Sequence, residues 1–498
     1  MINIWNRISY LIIFVNLIFS NVINYNLELV ENIRIDEYNS NSNFGVSDVW
    51  GYTDETGIDY SIVGYRYGTF IFDVSTSPGN SILVADILGP STGDYYFHRD
   101  YKTFGDFLYI VNEMYGGDIG MQVIDLSPLP EEEPIKLDTY TQIAQSHNLW
   151  INNQGFAFIE HQSGDNIHIA NLWDPANPIL ESSFNNLASN CHDIYTQSNF
   201  AYVSEGYSTQ FSIYDISNLD NLSSPLAIIP CEGYAHNAWT DDSGNILITT
   251  EETANKTVKI WDISDFDNIS LLGEYLGENG LAHNVHVKDD LVYISHYTTG
   301  IKIVDIFDPN RPVEVAAFDT YADDDEGGFY GCWGAYPFTS NGYIYASDMQ
   351  YGLYILDFEE VSAGWVDGTI YFNDSIPLEN VSIKSILNNK TFYTDENGAF
   401  LFGFPEGQHL FIINEQDTVS IDFFPHQIVS QNIFLSSELI LGDVNQDNVI
   451  DVLDIIIIVN IIMDVVNPSI EQQWVADLNS DGIINIQDII LIVLEILD

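Results

Sequence analysis

The chain has 498 residues, 46% of them hydrophobic, and carries 73 Asp and Glu against 13 Lys and Arg, for a formal net charge of −60. This length predicts several domains with ample apolar content for a large core. The acidic excess argues against nucleic-acid binding and leaves at most a peripheral membrane association, since both depend on basic patches, whereas it suits secretion, a saline environment or calcium binding.

The N-terminus predicts a secretory signal peptide over residues 1–22. Arg7 precedes an apolar run from Ile8 to Phe19, which ends at the small polar Ser20. The run is too short to span a bilayer comfortably, and no other stretch qualifies as a membrane helix. We therefore expect export and a secreted, extracellular or cell-surface location.

Residues 23–360 are predicted to consist of copies of one four-stranded antiparallel sheet, of which residues 282–318 are the clearest. Its first strand is the alternating stretch Asn284–Val287, and Asp289-Asp290 is a two-residue turn of the kind that hairpins prefer. Because one such sheet cannot bury its own face, it needs neighbours of the same kind. The other three strands are predicted at Leu291–Ser295, Gly300–Asp305 and Val313–Phe318.

Each copy has an aspartate at the end of its third strand, so the number of copies can be counted from these aspartates. Successive aspartates lie 41 to 52 residues apart, and a period of about 40–50 residues with four strands is typical of a β-propeller. Seven copies predict a seven-bladed β-propeller in a mainly β chain. The aspartates are Asp73, Asp125, Asp174, Asp215, Asp262, Asp305 and Asp357.

The ends of this region predict how the ring of blades closes. Leu27–Ile35 reads as a strand without partners of its own, and the seventh copy ends after its third strand at Asp357-Phe358. If the N-terminal strand pairs beside Leu353–Asp357 as the outer strand of the last blade, it gains a partner and supplies the fourth strand that this blade lacks. Such closure removes exposed sheet edges.

The first hairpin of five repeats carries a histidine and a second polar residue at matching distances from the turn. Residues equidistant from a hairpin turn face each other across antiparallel strands, so each pair should lie at one rim of the central channel. Trp50 and Trp333 replace the histidine in the other two repeats and should be neighbours once the ring closes. The predicted pairs are His98 with Glu113, His147 with Glu160, His192 with Glu205, His236 with Glu251, and His283 with His296.

Two interpretations of these pairs stay open. They could be latches, which satisfy buried polar groups around a tightly packed centre. They could instead form a transition-metal or substrate site, because imidazoles and carboxylates that converge on a channel are metal ligands. Cys191 and Cys332, each one residue before a ring position, could add thiolates, and Cys191 could alternatively form a disulfide with Cys231 of the adjacent repeat.

Several motifs in residues 25–360 give this region a family resemblance. It resembles the secreted choice-of-anchor B family, whose repeats are similar to the LVIVD repeats of bacterial surface propellers. That family implies one propeller joined to a C-terminal anchoring module, and it implies no particular ligand or reaction. The motifs are Trp50–Thr53 with Glu55–Gly57, Arg99-Asp100, Gly120–Leu126 and Ser146–Leu149.

Residues 364–436 predict a small β-sandwich. Short apolar stretches at Gly368–Phe372, Pro377–Ile383 and Phe400–Pro405 alternate with turns such as Asp395–Gly398. The pattern resembles the carboxypeptidase regulatory-like domain, a common extracellular spacer. We therefore expect a connecting role, with ligand binding as the alternative.

Residues 438–498 contain two copies of an acidic 12-residue loop, each followed by an apolar helical stretch. Oxygen ligands at alternate positions of a tight loop converge on one point, which is the arrangement that calcium requires. We predict two calcium ions, with Asn448 and Gly482 at the sharp turn of each loop. The ligands are Asp443, Asn445, Asp447, Val449, Asp451 and Asp454 in the first copy, and Asp477, Asn479, Asp481, Ile483, Asn485 and Asp488 in the second.

The two loops, each with an aspartate at position 12 and one helix after it, are similar to a type I dockerin. That resemblance implies a cohesin-like partner, bound chiefly through loop positions 10 and 11 and the following helix. Here those positions are Val452-Leu453 and Ile486-Gln487, which depart from the small or hydroxyl pairs of cellulosomal dockerins. Attachment to some cell-surface partner remains the expectation.

Together these features predict a secreted binding or scaffold protein, with the propeller as the ligand-binding module and the C-terminus as the calcium-dependent attachment module. The alternative is a metal-dependent enzyme, either an oxidoreductase or a polysaccharide-related hydrolase, with its site at the His/Glu rim. Dockerins often accompany polysaccharide-degrading enzymes, which is an association only. No nucleophile elbow, phosphate loop or zinc-protease helix motif occurs in the sequence.

Overall fold

The computed structural model of the chain describes residues 24–497 with short gaps. The predicted signal peptide lies outside the described residues. The gaps are residues 36–44, 76–78, 91–97, 115–118, 161–166, 189, 221, 223, 279, 324–326, 374–375, 416, 436–439 and 480.

Up to residue 358 the described chain consists of four-stranded antiparallel sheets, which we number 1 to 7 along the chain. Strand β1, Leu27–Ile33, precedes them. Sheet 1 contains β2 (Val46–Thr53), β3 (Asp59–Tyr65), β4 (Gly68–Asp73) and β5 (Ile82–Leu88). Sheet 2 contains β6 (Arg99–Phe104), β7 (Phe107–Asn112), β8 (Gln122–Asp125) and β9 (Ile135–Lys136). Sheet 3 contains β10 (Leu149–Ile151), β11 (Phe156–Glu160), β12 (Ile167–Asn171) and β13 (Ile179–Phe184).

The next sheets repeat the same up-and-down order. Sheet 4 contains β14 (Asp193–Gln197), β15 (Phe200–Ser204), β16 (Gln210–Asp215) and β17 (Ala227–Pro230). Sheet 5 contains β18 (Ala235–Thr240), β19 (Ile246–Glu251), β20 (Val258–Asp262) and β21 (Ser270–Tyr275). Sheet 6 contains β22 (Val285–Lys288), β23 (Leu291–Ser295), β24 (Ile301–Asp305) and β25 (Val313–Phe318), and sheet 7 contains β26 (Cys332–Tyr336), β27 (Ile344–Asp348) and β28 (Gly352–Phe358) together with β1.

The sheets are arranged around an axis, as in a β-propeller. The first strand of each sheet contacts the first strand of the next, and β26 of sheet 7 contacts β2 of sheet 1. Strand β1 pairs antiparallel with β28, from Leu27 opposite Phe358 to Ile33 opposite Leu353. The predicted closure by the N-terminal strand is thereby confirmed, with the strand ending at Ile33 rather than Ile35.

The residue that closes the third strand has the same hydrogen-bonding role in sheets 1 to 6. Asp73 and Asp215 each accept a hydrogen bond at 2.9 Å from the backbone N–H two residues further on, which starts the turn. In sheet 3 this role belongs to Asn171, which accepts the N–H of Trp173 at 2.8 Å. The prediction that Asp174 ends this strand is wrong, because an amide oxygen accepts this bond as well as a carboxylate does.

Two further sheets follow residue 362 and enclose a shared apolar core. The first contains β29 (Ala363–Phe372), β30 (Ile376–Pro377), β33 (Ala399–Pro405), β36 (Ile428–Ser430) and β37 (Ile433–Leu435). The second contains β31 (Ser382–Ser385), β32 (Thr391–Tyr393), β34 (Gly407–Ile413) and β35 (Asp417–Phe423). The described C-terminal segment has three helices, α1 (Val452–Ile462), α2 (Ile470–Ala476) and α3 (Ile486–Leu497). Within the described residues, every helix falls short of the length and apolar content needed to cross a bilayer.

Candidate functional site

Five histidines and one tryptophan form a closed ring of side chains around the axis on which the first strands meet. Neighbouring ring centroids lie between 4.3 and 5.5 Å apart, so each side chain contacts the next. These residues also line a cavity of about 30 Å³. In order, this axial ring consists of His98, His147, His192, His236, His283 and Trp333.

Irregular strand pairing turns two of these side chains toward the axis. The register of β18 against β19 shifts between Ala235 and Asn237, which leaves His236 as the extra residue. Trp333 is the extra residue in the pairing of β26 with β27. Because a β-bulge re-aims the side chain at its extra residue, the ring depends on backbone irregularity as well as on residue type.

A layer of carboxylates and amides next to the axial ring joins neighbouring sheets. Asp100 of sheet 2 accepts the backbone N–H of Leu149 in sheet 3 at 2.8 Å. Asn237 of sheet 5 accepts the N–H of Val285 in sheet 6 at 3.0 Å. These bonds satisfy polar groups at buried positions and so stabilise the arrangement around the axis. The layer consists of Asp48, Asp100, Asn148, Asp193, Asn237 and Asn284.

A third layer fills the axis with aromatic side chains and one cation. Lys102 Nζ lies 4.4 Å from the centroid of Trp50 and 2.7 Å from the Asp100 carboxylate, so π density and a negative charge compensate its burial. The expected place of Trp50 beside Trp333 is wrong, since Trp50 packs at the depth of Lys102 and contacts Tyr336. Further members are Trp150, Tyr195, Trp239 and His286.

Glu113 bridges two histidines of the axial ring. Its carboxylate lies 2.8 Å from His98 Nδ1 and 3.2 Å from His147 Nδ1. The predicted contact of His98 with Glu113 is confirmed. Glu160 lies next to His147, as predicted, but its carboxylate accepts the backbone N–H of His147 at 2.7 Å rather than a bond from the imidazole.

The other predicted pairs do not meet through their side chains. Strand register brings backbones together but does not fix the direction in which each side chain turns. Each residue finds a partner in its own sheet instead. Glu205 accepts the Gln210 amide at 2.6 Å, Glu251 pairs with Lys259 and accepts the N–H of Gly233 at 2.5 Å, and His296 Nδ1 lies 2.8 Å from Thr299 Oγ1.

All three cysteines are free thiols. Cys191 and Cys332 each donate to the backbone carbonyl two residues further on at 3.7 Å, so neither thiol faces the axial ring. Burial raises the pKa of both thiols, which keeps them protonated. The hypothesis that they add thiolate ligands to the ring is therefore wrong.

The charge of the ring is concentrated at His147. Burial alone would lower the pKa of His147, but the Glu113 carboxylate outweighs burial and raises that pKa to about 9. Burial opposes ionisation of Glu113 as well, yet His147 and His98 hold its pKa well below the usual range. Burial raises the pKa of Glu160 to about 7. One protonated histidine thus forms an ion pair with one carboxylate.

The histidines on the other side of the ring are neutral. Burial holds the pKa of His192 and of His236 well below the usual range. Burial also lowers the pKa of His283 to about 3. Neutral imidazoles of this kind can act as hydrogen-bond acceptors or as metal ligands.

Glu252 is a ring neighbour that the sequence reasoning missed. Its carboxylate lies 3.9 Å from His236 Nε2, and its other oxygen accepts the hydroxyl of Tyr297. Counting from the hairpin turn had selected Glu251. The bulge at His236 shifts the register by one residue, so the adjacent acid of the Glu251-Glu252 pair faces the ring. The sequence signal that could have identified Glu252 is its position directly after Glu251, which offers two adjacent acids at this place in the hairpin.

The two predicted calcium loops, loop 1 (residues 443–454) and loop 2 (residues 477–488), fold alike. Their sixth residues have positive φ, +66° at Asn448 and +81° at Gly482, as the sharp turn requires. The first carboxylate of each loop closes the turn through the same two backbone hydrogen bonds. Asp443 accepts from Asp447 at 3.1 Å and Asn448 at 2.8 Å, and Asp477 accepts from Asp481 at 3.1 Å and Gly482 at 2.8 Å.

The last carboxylate of each loop is buried and joins the loop to its helix. Asp454 and Asp488 have no exposed surface. Asp454 accepts backbone N–H groups from Val444 at 2.7 Å and from Asp451 at 2.9 Å, and Asp451 in turn caps α1. The position-12 side chain therefore fixes the loop ends and the helix start together.

The donor set of both loops fits calcium. Side-chain oxygens stand at positions 1, 3, 5, 9 and 12, and the residues at position 7, Val449 and Ile483, can offer only a backbone carbonyl. The chain contains no Lys or Arg after Lys390, so no side-chain cation of this segment can balance the clustered carboxylates. A hard divalent cation with a preference for oxygen is the matching counter-charge.

The helices that follow the loops expose apolar side chains at equivalent positions. Val452 and Ile456 of α1 are 60% and 51% exposed, and Ile486 and Ile490 of α3 are 68% and 56% exposed. Exposed apolar side chains that cluster on one face mark interaction surfaces. The predicted partner-binding positions therefore lie at the surface.

Comparisons with known proteins add one family match to this geometry. No curated protein matches the chain. Among solved structures, the computationally designed Ika8 protein is 12% identical, covers 66% of this chain and 99% of its own, and has a TM-score of 0.44. The Neurospora crassa Pan2 WD40 domain is 9% identical, covers 67% of this chain and 96% of its own, and has a TM-score of 0.45. Residues 441–497 match the family model of the Dockerin type I domain, so the chain carries a type I dockerin domain at its C-terminal end.

Proposed function

We propose that this protein is a secreted, surface-attached binding or scaffold protein, held in place through its dockerin domain by a cohesin-bearing partner in a calcium-dependent way. The observation that carries the proposal is the pair of loops with the same oxygen pattern and the same internal hydrogen bonds, in a segment that matches the dockerin model. Calcium in each loop fixes the start of the following helix, whose exposed apolar face would then meet the partner.

The N-terminal region, residues 23–360, would serve as the binding module. Its seven four-stranded sheets among the described residues, each in contact with the next, support a seven-bladed propeller. The axial ring at one end of the channel would be the binding position. The choice-of-anchor B resemblance is compatible with this arrangement, and residues 364–436 would act as a sandwich-like spacer.

Binding of the full chain to immobilised cohesin modules tests the attachment function. We expect binding in calcium chloride and none in excess chelator, because the loops cannot hold their shape against carboxylate repulsion without the ion. A matched variant, Asp443→Ala with Asp477→Ala, should fail to bind in calcium. Binding of equal strength with and without chelator would contradict the proposal.

A metal-dependent enzyme remains the alternative for residues 23–360. It is favoured by two clusters on the axial ring, His98 with Glu113 and His147, and His236 with Glu252 and His283, whose donor atoms lie within 4.8 Å of one another. Metal analysis of the purified protein separates the alternatives, because a latch requires no transition metal.

A further inference from the structure

The two histidine clusters of the axial ring differ in how their donor atoms are satisfied. In the first, the Glu113 carboxylate already pairs with two imidazole nitrogens, at 2.8 Å from His98 Nδ1 and 3.2 Å from His147 Nδ1. In the second, which we name the Glu252 cluster (His236, Glu252 and His283), all donor atoms lie within 4.8 Å of one another. His236 Nε2 lies 3.9 Å from a Glu252 oxygen, which is too long for a hydrogen bond.

The hydrogen bonds of the ring fix which nitrogen of His283 is available. His283 Nδ1 lies 2.6 Å from the backbone carbonyl of Trp333. Because a carbonyl oxygen can only accept, Nδ1 carries the proton and Nε2 of the neutral ring keeps its lone pair. A backbone carbonyl in this position is the usual outer partner of a metal-bound histidine.

The carboxylate of the Glu252 cluster is also held in place. One oxygen accepts the hydroxyl of Tyr297, which leaves the other oxygen toward His236. Tyr297 itself is 1% exposed and packs against the His283 ring at 4.9 Å. Buried Met114 and Met349 complete an apolar cluster around Tyr297. The Glu252 carboxyl group and ring nitrogens of His236 and His283 thus converge at a largely buried position.

We propose that the Glu252 cluster binds one divalent transition-metal ion through His236 Nε2, His283 Nε2 and a Glu252 oxygen. Ligand atoms around a tetrahedral ion at about 2.0–2.2 Å lie about 3.3–3.6 Å apart. The 3.9 Å contact therefore needs to close by a few tenths of an ångström, and a donor pair at the 4.8 Å limit by about 1.2–1.5 Å. This inference rests on the metal-site alternative proposed for the axial ring and names the ligands of that site. It does not depend on the dockerin domain.

The ligand types select the class of metal. Two imidazoles and one carboxylate suit zinc, cobalt, nickel or iron, whereas calcium requires six to eight oxygens. The three cysteines contribute no thiolate, because Cys191 and Cys332 face away from the ring and Cys231 contacts the Gly233 carbonyl at 3.4 Å. With three protein ligands, one coordination position stays open to water or a ligand, as in catalytic rather than structural zinc sites.

The test uses the full chain in excess calcium chloride, so that the dockerin loops are occupied by calcium. The metal-stripped protein is titrated with Co²⁺, followed by its visible absorption, and the Co²⁺ is then displaced with Zn²⁺. We expect one equivalent of Co²⁺ to bind. Glu252→Gln, which keeps the size and the Tyr297 contact but removes the charge, should weaken binding by more than about 100-fold, since the loss of an outer partner alone costs about 10–100-fold.

Glu113→Gln is the matched control, because Glu113 stands in the other histidine cluster of the same ring. We expect it to bind Co²⁺ with unchanged affinity. Absence of Co²⁺ binding to the wild-type chain, equal affinity in Glu252→Gln, or loss of binding in Glu113→Gln alone would each overturn the proposal. Cohesin binding in calcium should be the same in all three proteins, so a failure here is distinct from a failure of the attachment function.

If Glu252→Gln does not fold, X-ray absorption of the Zn²⁺-loaded wild type tests the proposed ligand set instead. The proposal requires two imidazole nitrogens and at least one oxygen at about 2.0–2.2 Å. A spectrum dominated by sulfur, or one with oxygen ligands only, contradicts it.

Discussion

Glu160, a buried residue at the end of β11, accepts the backbone N–H of His147 at 2.7 Å. Its burial opposes ionisation and raises its pKa to about 7, above the ordinary value of 4.5. A carboxyl group whose pKa is raised in the folded state binds protons more tightly there than in the unfolded chain. Its contribution to stability is therefore present below pH 4.5 and is lost as the pH rises through about 7.

Glu160→Gln should remove this pH dependence. The amide oxygen still accepts the His147 N–H, but it cannot ionise, so the variant should be about 1–3 kcal/mol more stable than the wild type at pH 8 and equally stable at pH 4. Urea denaturation at both pH values measures the difference. Glu131→Gln, at an exposed position, is the control and should show no change. A stabilisation that is the same at both pH values would contradict the ionisation argument.

The sequence identified the residues of the axial ring better than their partners. Duplicated hairpins keep a residue at the same distance from the turn, so His98 and its counterparts were visible by counting. Counting could not identify the acids, because the bulge at His236 brings Glu252 rather than Glu251 to the ring. Side-chain direction at Glu205 is likewise set by a local bond to Gln210, which the hairpin symmetry does not contain.

At the level of elements, the antiparallel pairing of β1 with β28 closes the ring of sheets. Gly352, at the start of β28, has φ of +96°. A Cβ atom there would lie 2.2 Å from the backbone oxygen of Ile33 and 2.9 Å from the N of Ile35. The N-terminal strand can therefore approach β28 only where a glycine is present.

Gly352→Ala should weaken this closure. We expect a loss of about 2–4 kcal/mol, because the substitution combines a left-handed backbone with a clash that neither strand can relieve without breaking its hydrogen bonds. Thermal denaturation measures the loss. Gly342→Ala is the control, since Gly342 has φ of +83° but no atom within 4 Å of its Cβ position, so only the strain of about 1 kcal/mol applies. Equal effects would mean that the strand contact is unimportant.

The two calcium loops differ in charge. Loop 1 carries four aspartates at ligand positions and loop 2 carries three, because Asn485 stands where loop 1 has Asp451. Since ligand charge tunes calcium affinity, loop 1 should bind more tightly. Asp443→Asn should therefore leave one weaker site, and Asp477→Asn should leave one tighter site. Isothermal titration counts the sites, and loss of both from either single variant would contradict independent loops.

Element positions followed from the sequence to within a residue or two where strands alternate, as in sheet 6. The repeat count relied on carboxylates, and this misplaced the end of the third strand in sheet 3. Asn171 accepts the turn N–H there, because the turn needs an oxygen acceptor rather than a charge. Because Asp174 lies only three residues further along the chain, this error changed the predicted spacing of the repeats by only three residues.

At the scale of the whole molecule, sheet 6 is the surface on which the following module rests. Asp305, buried at the end of its third strand, accepts the N–H of Ala363 at 2.7 Å and lies 3.2 Å from His426 Nε2. The His426 ring stacks on Phe307 at 3.8 Å. Lys390 pairs with buried Glu314 at 3.0 Å. A buried carboxylate with several partners is costly to separate, which favours a fixed joint.

This joint could not be predicted from the sequence. Repeat periodicity and loop motifs are local in the chain, and they located the repeats, the following strands and the calcium loops. The Asp305–His426 contact joins residues 121 positions apart, and neither belongs to a pattern that requires the other. Only the packing of the sheets brings them together.

The dockerin domain is joined to the preceding sheets through Trp474. This side chain, on α2, packs on Phe372 with ring centroids 6.1 Å apart and also contacts the apolar core of the dockerin domain. Asp477, the first ligand of loop 2, directly follows α2. Calcium binding to loop 2 should therefore hold α2, and with it Trp474, against Phe372.

Chelation should release the dockerin domain from the rest of the molecule. We expect the radius of gyration, measured by small-angle X-ray scattering, to increase in the wild type when calcium is removed. Trp474→Ala should give the larger radius even in calcium, with both calcium sites still occupied in isothermal titration, because Trp474 joins the modules but is no ligand. Trp173→Ala, at a tryptophan that is 72% exposed on sheet 3, is the control and should behave as the wild type. If the radius of Trp474→Ala in calcium equals that of the wild type, the joint lies elsewhere and calcium does not govern the position of the dockerin domain.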